Sequence, residues 1–101
     1  MKIRFAAKAA EETEDTVDWY EEERAGLGLE FREFLRDTLD SIQAAPESFA
    51  KLETLPSDSE IRRCKMRRFP YIIVFEVLES EIHILAVVHV RRHPDYWTDR
   101  I

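Results

Sequence analysis

Two apolar runs near the C-terminal end of the chain have the pattern of paired β-strands. Residues 71–78 and 82–90 are rich in β-branched and aromatic side chains, and the polar link 79–81 separates them. Such side chains pack best on a pleated, half-buried surface. The pattern therefore predicts a central β-hairpin, which needs more strands or a helix over its apolar face because an isolated hairpin is only marginally stable.

Two further segments alternate polar and apolar residues and predict strands that extend this hairpin. Residues 2–5 form a short first strand in this interpretation. Residues 61–68 form another, in which Cys64 and Met66 point to one side and the basic side chains between them point to the other. The predicted sheet thus has an apolar face and a basic face near this strand.

Between these strands, apolar residues recur every three or four positions, which is the period of an amphipathic helix. Residues 7–25 predict one helix, whose inward stripe is Ala6, Ala10, Thr13, Val17 and Tyr20. Residues 29–44 predict a second helix, whose inward face is Phe31, Phe34, Leu35, Thr38, Leu39 and Ile42. Gly26 and Gly28 fall between the two helices, and Pro46 ends the second one.

The order strand, helix, helix, strand, strand, strand predicts an α+β fold. We expect one domain over residues 1–101, with an antiparallel sheet covered on one face by a helical hairpin. The chain length and an apolar content of 45% suit a single hydrophobic core.

Composition excludes several kinds of site and of location. One cysteine, Cys64, cannot form an internal disulfide, and two glycines cannot build a phosphate-binding loop. His89 and His93 are four residues apart, but Pro94 argues against a helix that would align them on a metal. We expect no metal and no cofactor. The apolar runs are too short to span a membrane, and the N-terminal residues lack a signal-peptide pattern, so we expect a cytoplasmic protein.

Charge is distributed unevenly along the chain. Residues 1–60 carry 7 basic and 16 acidic side chains, whereas residues 61–101 carry 8 basic and 5 acidic ones. The chain as a whole has a net charge of −6. Such segregation lets an acidic protein present a basic surface.

The basic and aromatic residues of the C-terminal half could converge on one surface. Arginine makes bidentate contacts with phosphate, and aromatic rings stack on bases, so the surface could bind RNA. Histidine or tyrosine could also transfer protons during RNA cleavage. Alternatively, the arginines pair with helix carboxylates or only keep the sheet soluble. The residues concerned are Arg63, Lys65, Arg67, His89, Arg91, Arg92, His93 and Tyr96.

Trp19 lies about 120° from the apolar stripe of its helix, given a helical step of about 100° per residue. We expect it to contact the second helix, and the alternative is an exposed aromatic residue that binds a partner. Arg63 and Trp97 are further candidates for partner binding.

The chain resembles the RelE/ParE family, the toxins of type II toxin–antitoxin modules, which are also described as plasmid stabilisation proteins. The resemblance covers nearly the whole chain and is carried by the order of several short motifs. These are Trp19-Tyr20-Glu21, Gly26-Leu27-Gly28, Phe31 with Phe34, Arg67-Arg68-Phe69-Pro70-Tyr71, and His89-Val90-Arg91-Arg92-His93-Pro94-Asp95-Tyr96-Trp97.

The resemblance implies a growth-inhibiting toxin that a cognate antitoxin neutralises by burying its apolar grooves. RelE-like members cleave mRNA on the ribosome, and the counterparts of their catalytic residues would be Lys65, Arg67, Arg91, Arg92 and Tyr96, with His89 as a further candidate. ParE-like members inhibit DNA gyrase instead. The sequence pI near 5.1 disfavours binding to ribosomal RNA. We therefore expect a ParE-like toxin with a protein target; the alternatives are a ribosome-dependent mRNA endonuclease and a non-toxic binding domain.

Overall fold

The computed structural model describes residues 1–56, 58–92 and 96–101. The predicted order of elements and the α+β fold are confirmed. The elements are β1 (Lys2–Phe5), α1 (Ala7–Glu23), α2 (Leu27–Ala44), a 3-10 turn (Pro46–Ser48), β2 (Ile61–Lys65), β3 (Tyr71–Val77), β4 (Glu81–His89) and a C-terminal 3-10 turn (Thr98–Arg100). Strand β2 ends three residues before its predicted limit, because the chain turns there through Arg68, whose φ is 69°.

The four strands form one sheet in the order β1-β4-β3-β2. Strands β2, β3 and β4 are antiparallel neighbours, as expected. Strand β1 runs parallel to β4, so the sheet is mixed rather than wholly antiparallel. Two helices and two strands separate β1 from its partner β4 along the chain, and a connection of that length allows a parallel pair.

The two helices pack against one face of the sheet. Helix α1 buries Ala9, Thr13 and Val17. The predicted stripe is therefore wrong at Ala10, which is exposed, and Ala9 takes its place. The helices approach closely at Gly28, where an added Cβ would lie 2.7 Å from the carbonyl oxygen of Val17. In the described part of the chain, neither helix is both long and apolar enough to cross a membrane.

Aromatic rings join helix α2 to the sheet. The ring of Phe31 is fully buried and lies 5.2 Å from Phe69 and 5.3 Å from Tyr71, measured between centroids. Phe34 is only half-buried, and its ring lies at the margin of this cluster beneath the Arg68 guanidinium. The rest of the predicted inner face follows the same division: Leu35, Thr38 and Ile42 are buried, and Leu39 is half-buried.

The opposite face of the sheet has its own small core. The loop after the first 3-10 turn and the C-terminal tail cover this face, which contains Trp97 at 2% exposure. The buried members are Ile61, Val74, Leu85, Ala86 and Trp97, with Leu52, Leu55, Ile72 and Tyr96 packed against them. The tail is thus held against the sheet by an apolar anchor.

Candidate functional site

The C-terminal tail is fastened to the part of β4 that β1 does not reach. The register of β1 ends with Phe5 opposite Ile84. Immediately beyond it, the Arg100 guanidinium donates to the carbonyl oxygen of Leu85 at 3.1 Å. The same group makes two hydrogen bonds to the Glu12 carboxylate on α1, at 2.8 and 2.9 Å. The Arg100 side chain is 9% exposed, so this pair is a largely buried link between tail, sheet and helix.

The ring of Tyr96 lies between two guanidinium groups. The centroid is 4.0 Å from Cζ of Arg92 and 5.0 Å from Cζ of Arg100. Burial, together with the neighbouring Glu12 carboxylate, raises the pKa of Tyr96 to about 12. The phenol is therefore protonated throughout the physiological pH range.

His89 ends β4 opposite Tyr71, and its ring lies 5.2 Å from the Tyr71 ring. The backbone N–H of Arg91 donates to Nδ1 of His89 at 3.1 Å. This hydrogen bond requires an unprotonated Nδ1, which leaves Nε2 as the group that can face a ligand. His89 borders all three of the hollows described next.

The first hollow, the tail cleft, lies between α1, β4 and the tail and has a volume of about 200 Å³. It combines His89, Arg92 and Tyr96 with two carboxylates of α1. Its full lining is Glu12, Asp15, Thr16, Tyr71, Val87, His89, Arg92 and Tyr96.

The second hollow, the sheet groove, lies on the face of the sheet away from the helices and has a volume of about 260 Å³. Its floor is apolar, and Arg63 and Arg92 stand at its sides. Its lining is Leu52, Glu53, Thr54, Arg63, Ile72, Val74, Val88, His89, Val90, Arg92 and Trp97. Sites for small molecules usually measure about 300–1,000 Å³. This groove is nearer to the size that takes one or two side chains of a protein partner.

The third hollow, the aromatic pocket, lies between α1 and the end of the sheet. Its lining is Asp15, Thr16, Trp19, Tyr20, Tyr71 and His89. Trp19 is 56% exposed and meets Tyr20 edge-on at 5.1 Å. The expectation that Trp19 packs against the second helix is wrong, because its helix turns this side chain towards the sheet end instead.

The predicted catalytic residues are divided among separate places. His89, Arg92 and Tyr96 share the tail cleft. Lys65 and Arg67 lie together in a hollow of the β2–β3 turn, lined also by Met66, Arg68, Phe69 and Pro70. Arg91 is exposed just after β4. His93 lies outside the described residues.

The predicted partner-binding residues differ in exposure. Arg63 and Trp97 both line the sheet groove. Arg63 is exposed, whereas Trp97 is buried and belongs to the floor of the groove. Pairing of arginines with helix carboxylates occurs for Arg68 with Glu30 and for Arg100 with Glu12. Arg63, Lys65, Arg67 and Arg91 form no ion pair with another described residue.

Sequence patterns gave no sign of Glu12, Asp15 or Arg100 as site residues. The carboxylates looked like two members of a solvated acidic helix face, and Arg100 like part of a coil tail. Within the described residues, no three His, Cys, Asp or Glu side chains are grouped as metal ligands. Burial raises the pKa of the Cys64 thiol, which makes this cysteine a poor nucleophile at neutral pH.

Comparisons with known proteins agree with this fold. A family model for the ParE toxin of the type II toxin–antitoxin system parDE matches residues 3–94. A search among curated proteins found no match. Among solved structures, the chain is similar to one described as the chromosomal ParDE TA system from P. aeruginosa, with a TM-score of 0.73 and 20% sequence identity. The alignment covers 88% of this chain and 95% of the other. At that identity the likeness shows a shared fold, and the match to the family model carries the assignment.

Proposed function

Since the chain belongs to the ParE toxin family of type II toxin–antitoxin systems, we propose that it arrests growth by binding a protein target, with DNA gyrase as the first candidate. A cognate antitoxin neutralises it by covering the sheet groove. Action on gyrase also places the toxin in the cytoplasm. The observation that carries the choice of a protein target is the mixture of charges in the tail cleft, where Glu12 and Asp15 face the residues that would have to handle RNA.

Electrostatics of the tail cleft disfavour phosphate chemistry. A phosphodiester brought beside His89 and Tyr96 would also meet the Asp15 carboxylate, and the two negative charges would repel each other. Tyr96, with a pKa of about 12, cannot accept a proton at neutral pH. Lys65 and Arg67, which a nuclease would need near the phosphate, occupy the hollow of the β2–β3 turn instead.

The sheet groove has the features of a surface that binds a polypeptide. Ile72, Val74 and Val88 supply an apolar floor, and Val90 at its edge is 44% exposed. Burial of apolar side chains here would provide most of the binding free energy. Arg63 and Arg92 would pair with carboxylates at the rim, which favours a partner that combines apolar and acidic residues.

The experiment is induced expression in bacteria, with growth, transcript integrity and plasmid supercoiling followed in the same culture. We expect growth arrest, intact transcripts and loss of negative supercoiling. Arrest with normal supercoiling and intact transcripts would remove gyrase but leave a protein target. No arrest at full expression of the folded chain would contradict the proposed activity.

Neutralisation is tested by co-expressing a candidate cognate antitoxin with the toxin. Val90→Asp places a charge at the edge of the groove, and we expect it to prevent rescue by the antitoxin while leaving the fold intact. Leu29→Asp is the matched control, since Leu29 is 60% exposed on α2 and away from the groove. Equal rescue of both variants would show that the antitoxin binds elsewhere.

Cleavage of mRNA is the second candidate function, because His89, Arg92 and Tyr96 do share one cleft. Tyr96→Phe separates the two functions, since it keeps the ring between the guanidiniums and removes only the hydroxyl. We expect this variant to arrest growth as the parent does. Cleaved transcripts with the parent and intact ones with Tyr96→Phe would establish the nuclease and refute the proposal.

A further inference from the structure

The aromatic pocket is built by two pairs of residues one helical turn apart and by one register pair of the sheet. Asp15 and Trp19 are four residues apart on α1, as are Thr16 and Tyr20, so each pair stands on one side of the helix. Tyr71 of β3 and His89 of β4 are opposite each other and close the pocket from the sheet. Three aromatic rings and one carboxylate thus face the same open space.

These groups match the chemistry of a cation. The face of an aromatic ring attracts a positive charge, and tryptophan does so most strongly. Burial raises the pKa of Tyr20 to about 12, so the phenol adds no negative charge of its own at neutral pH. Asp15 then supplies the anionic group, and it forms no ion pair with another described residue.

An arginine side chain fits this arrangement better than a lysine side chain. The guanidinium group is planar, so it stacks on an indole ring while donating two hydrogen bonds to a carboxylate. A large exposed aromatic residue beside an open pocket is also typical of the centre of a protein interface.

We infer that the aromatic pocket receives an arginine side chain from a protein partner, stacked on Trp19 and paired with Asp15. The inference rests on the proposed function in one respect, which is that this partner is the antitoxin. The recognition of a guanidinium group by the pocket does not depend on toxicity or on the cellular target.

The charged side chains next to the pocket interact with other groups. Glu12, the next carboxylate along α1, is already paired with Arg100. Arg92 lines the adjoining tail cleft and stacks on Tyr96 rather than on Trp19. His89 is the one basic side chain among the described residues that line the pocket.

The test is an NMR titration of the full chain with Nα-acetyl-L-argininamide at constant ionic strength. The chain has two tryptophans, so the exposed Trp19 indole N–H reports on the pocket and the buried Trp97 indole N–H serves as an internal reference. We expect a saturable shift of the Trp19 signal alone, with a dissociation constant of roughly 10–100 mM for this minimal probe. Nα-acetyl-L-citrullinamide, which has the same shape without the charge, is the matched ligand control, and we expect at most a fraction of the shift.

Variants decide which groups bind the probe. Asp15→Asn should raise the dissociation constant about 3-fold or more, as expected for the loss of a partly exposed charge pair. Asp18→Asn removes the same charge from α1 outside the pocket and should leave the constant unchanged. Equal shifts with the arginine and citrulline compounds, or equal effects of the two Asn variants, would overturn the inference.

The partner is tested separately in the co-expressed complex. Trp19→Ala should weaken antitoxin binding roughly 3- to 30-fold, the range expected for loss of one stacked cation, whereas Leu29→Ala should not. Probe binding with unchanged antitoxin affinity would overturn the assignment of the arginine to the antitoxin. Neither result alters the growth and supercoiling assays, so failure of this inference is distinguishable from failure of the proposed function.

Discussion

The link between Arg100 and Glu12 is the feature of this fold whose removal should be most informative. Arg100→Ala deletes two hydrogen bonds to the Glu12 carboxylate and one to the carbonyl oxygen of Leu85. It also leaves a carboxylate, only 20% exposed, beside the end of the sheet without its counter-charge. We expect the tail to detach and the fold to lose stability.

The expected cost lies well above that of an ordinary surface ion pair. Removing one partner of a buried pair costs about 3–5 kcal/mol, but partial exposure lets water recover part of the solvation of Glu12. The buried Nε of Arg100 has no acceptor among the described residues. This unsatisfied donor lowers the stabilisation that Arg100 provides, and so lowers the cost of removing it. We expect a loss of about 2–4 kcal/mol in the free energy of unfolding, and a melting temperature lower by roughly 10–20 °C for a domain of this size.

Urea unfolding followed by far-UV circular dichroism measures this loss. Arg32→Ala is the matched control, because Arg32 pairs with Glu14 across the two helices with side chains 48% and 57% exposed. Exposed pairs contribute at most about 1 kcal/mol. If Arg100→Ala costs no more than Arg32→Ala, this pair does not fasten the tail, and the tail cleft does not have the shape that the pair implies.

Three further predictions concern the core, the helix contact and the tail tyrosine. Phe31→Ala should cost about 3–5 kcal/mol and Phe34→Ala about half as much, because only the first ring is fully buried; equal losses in thermal unfolding would contradict this. Gly28→Ala should cost about 1–3 kcal/mol, because its methyl group would press on the Val17 carbonyl, and a neutral effect in the same assay would mean that the helices can separate. Tyr96 has a pKa of about 12 in the folded chain, above the ordinary value of 10.0, so its contribution is complete below pH 10 and is lost as pH rises towards 12. Urea midpoints at pH 9 and pH 11 should therefore fall less steeply in Tyr96→Phe than in the parent.

Local patterns were sufficient to predict the elements of the fold. The β-branched runs, Gly26 between the helices and the proline after α2 are each read from neighbouring residues. Gly28 was expected in the link as well, but α2 begins at Leu27 and includes it. The direction of β1 was not predictable in this way, since its partner β4 lies about eighty residues further along the chain. The choice between Ala9 and Ala10 also failed, because two adjacent alanines give the apolar stripe no contrast from which to fix its phase.

The site was less predictable, because distant contacts determine it. Glu12 and Arg100 are 88 residues apart, and nothing around either residue indicates that they meet. The basic residues could be found by type, but the sheet separates them. Lys65 ends β2 and Arg67 follows it in the turn to β3, whereas His89 ends β4. Trp19 was expected to contact the second helix, and its 56% exposure is what points to the aromatic pocket.

The two proposed binding regions meet at His89 and have opposite charge. The sheet groove is lined by two arginines, Arg63 and Arg92, against one carboxylate, Glu53, whereas the aromatic pocket contains the carboxylate of Asp15. A partner segment that crosses the end of β4 would therefore need acidic residues over the groove and an arginine over the pocket, in that spatial order. A segment with the reverse order would bring like charges together at both the groove and the pocket, and the repulsion would weaken binding at each of them. Segregated charge in this acidic chain would then select both the partner and the direction in which it lies, which net charge alone cannot do.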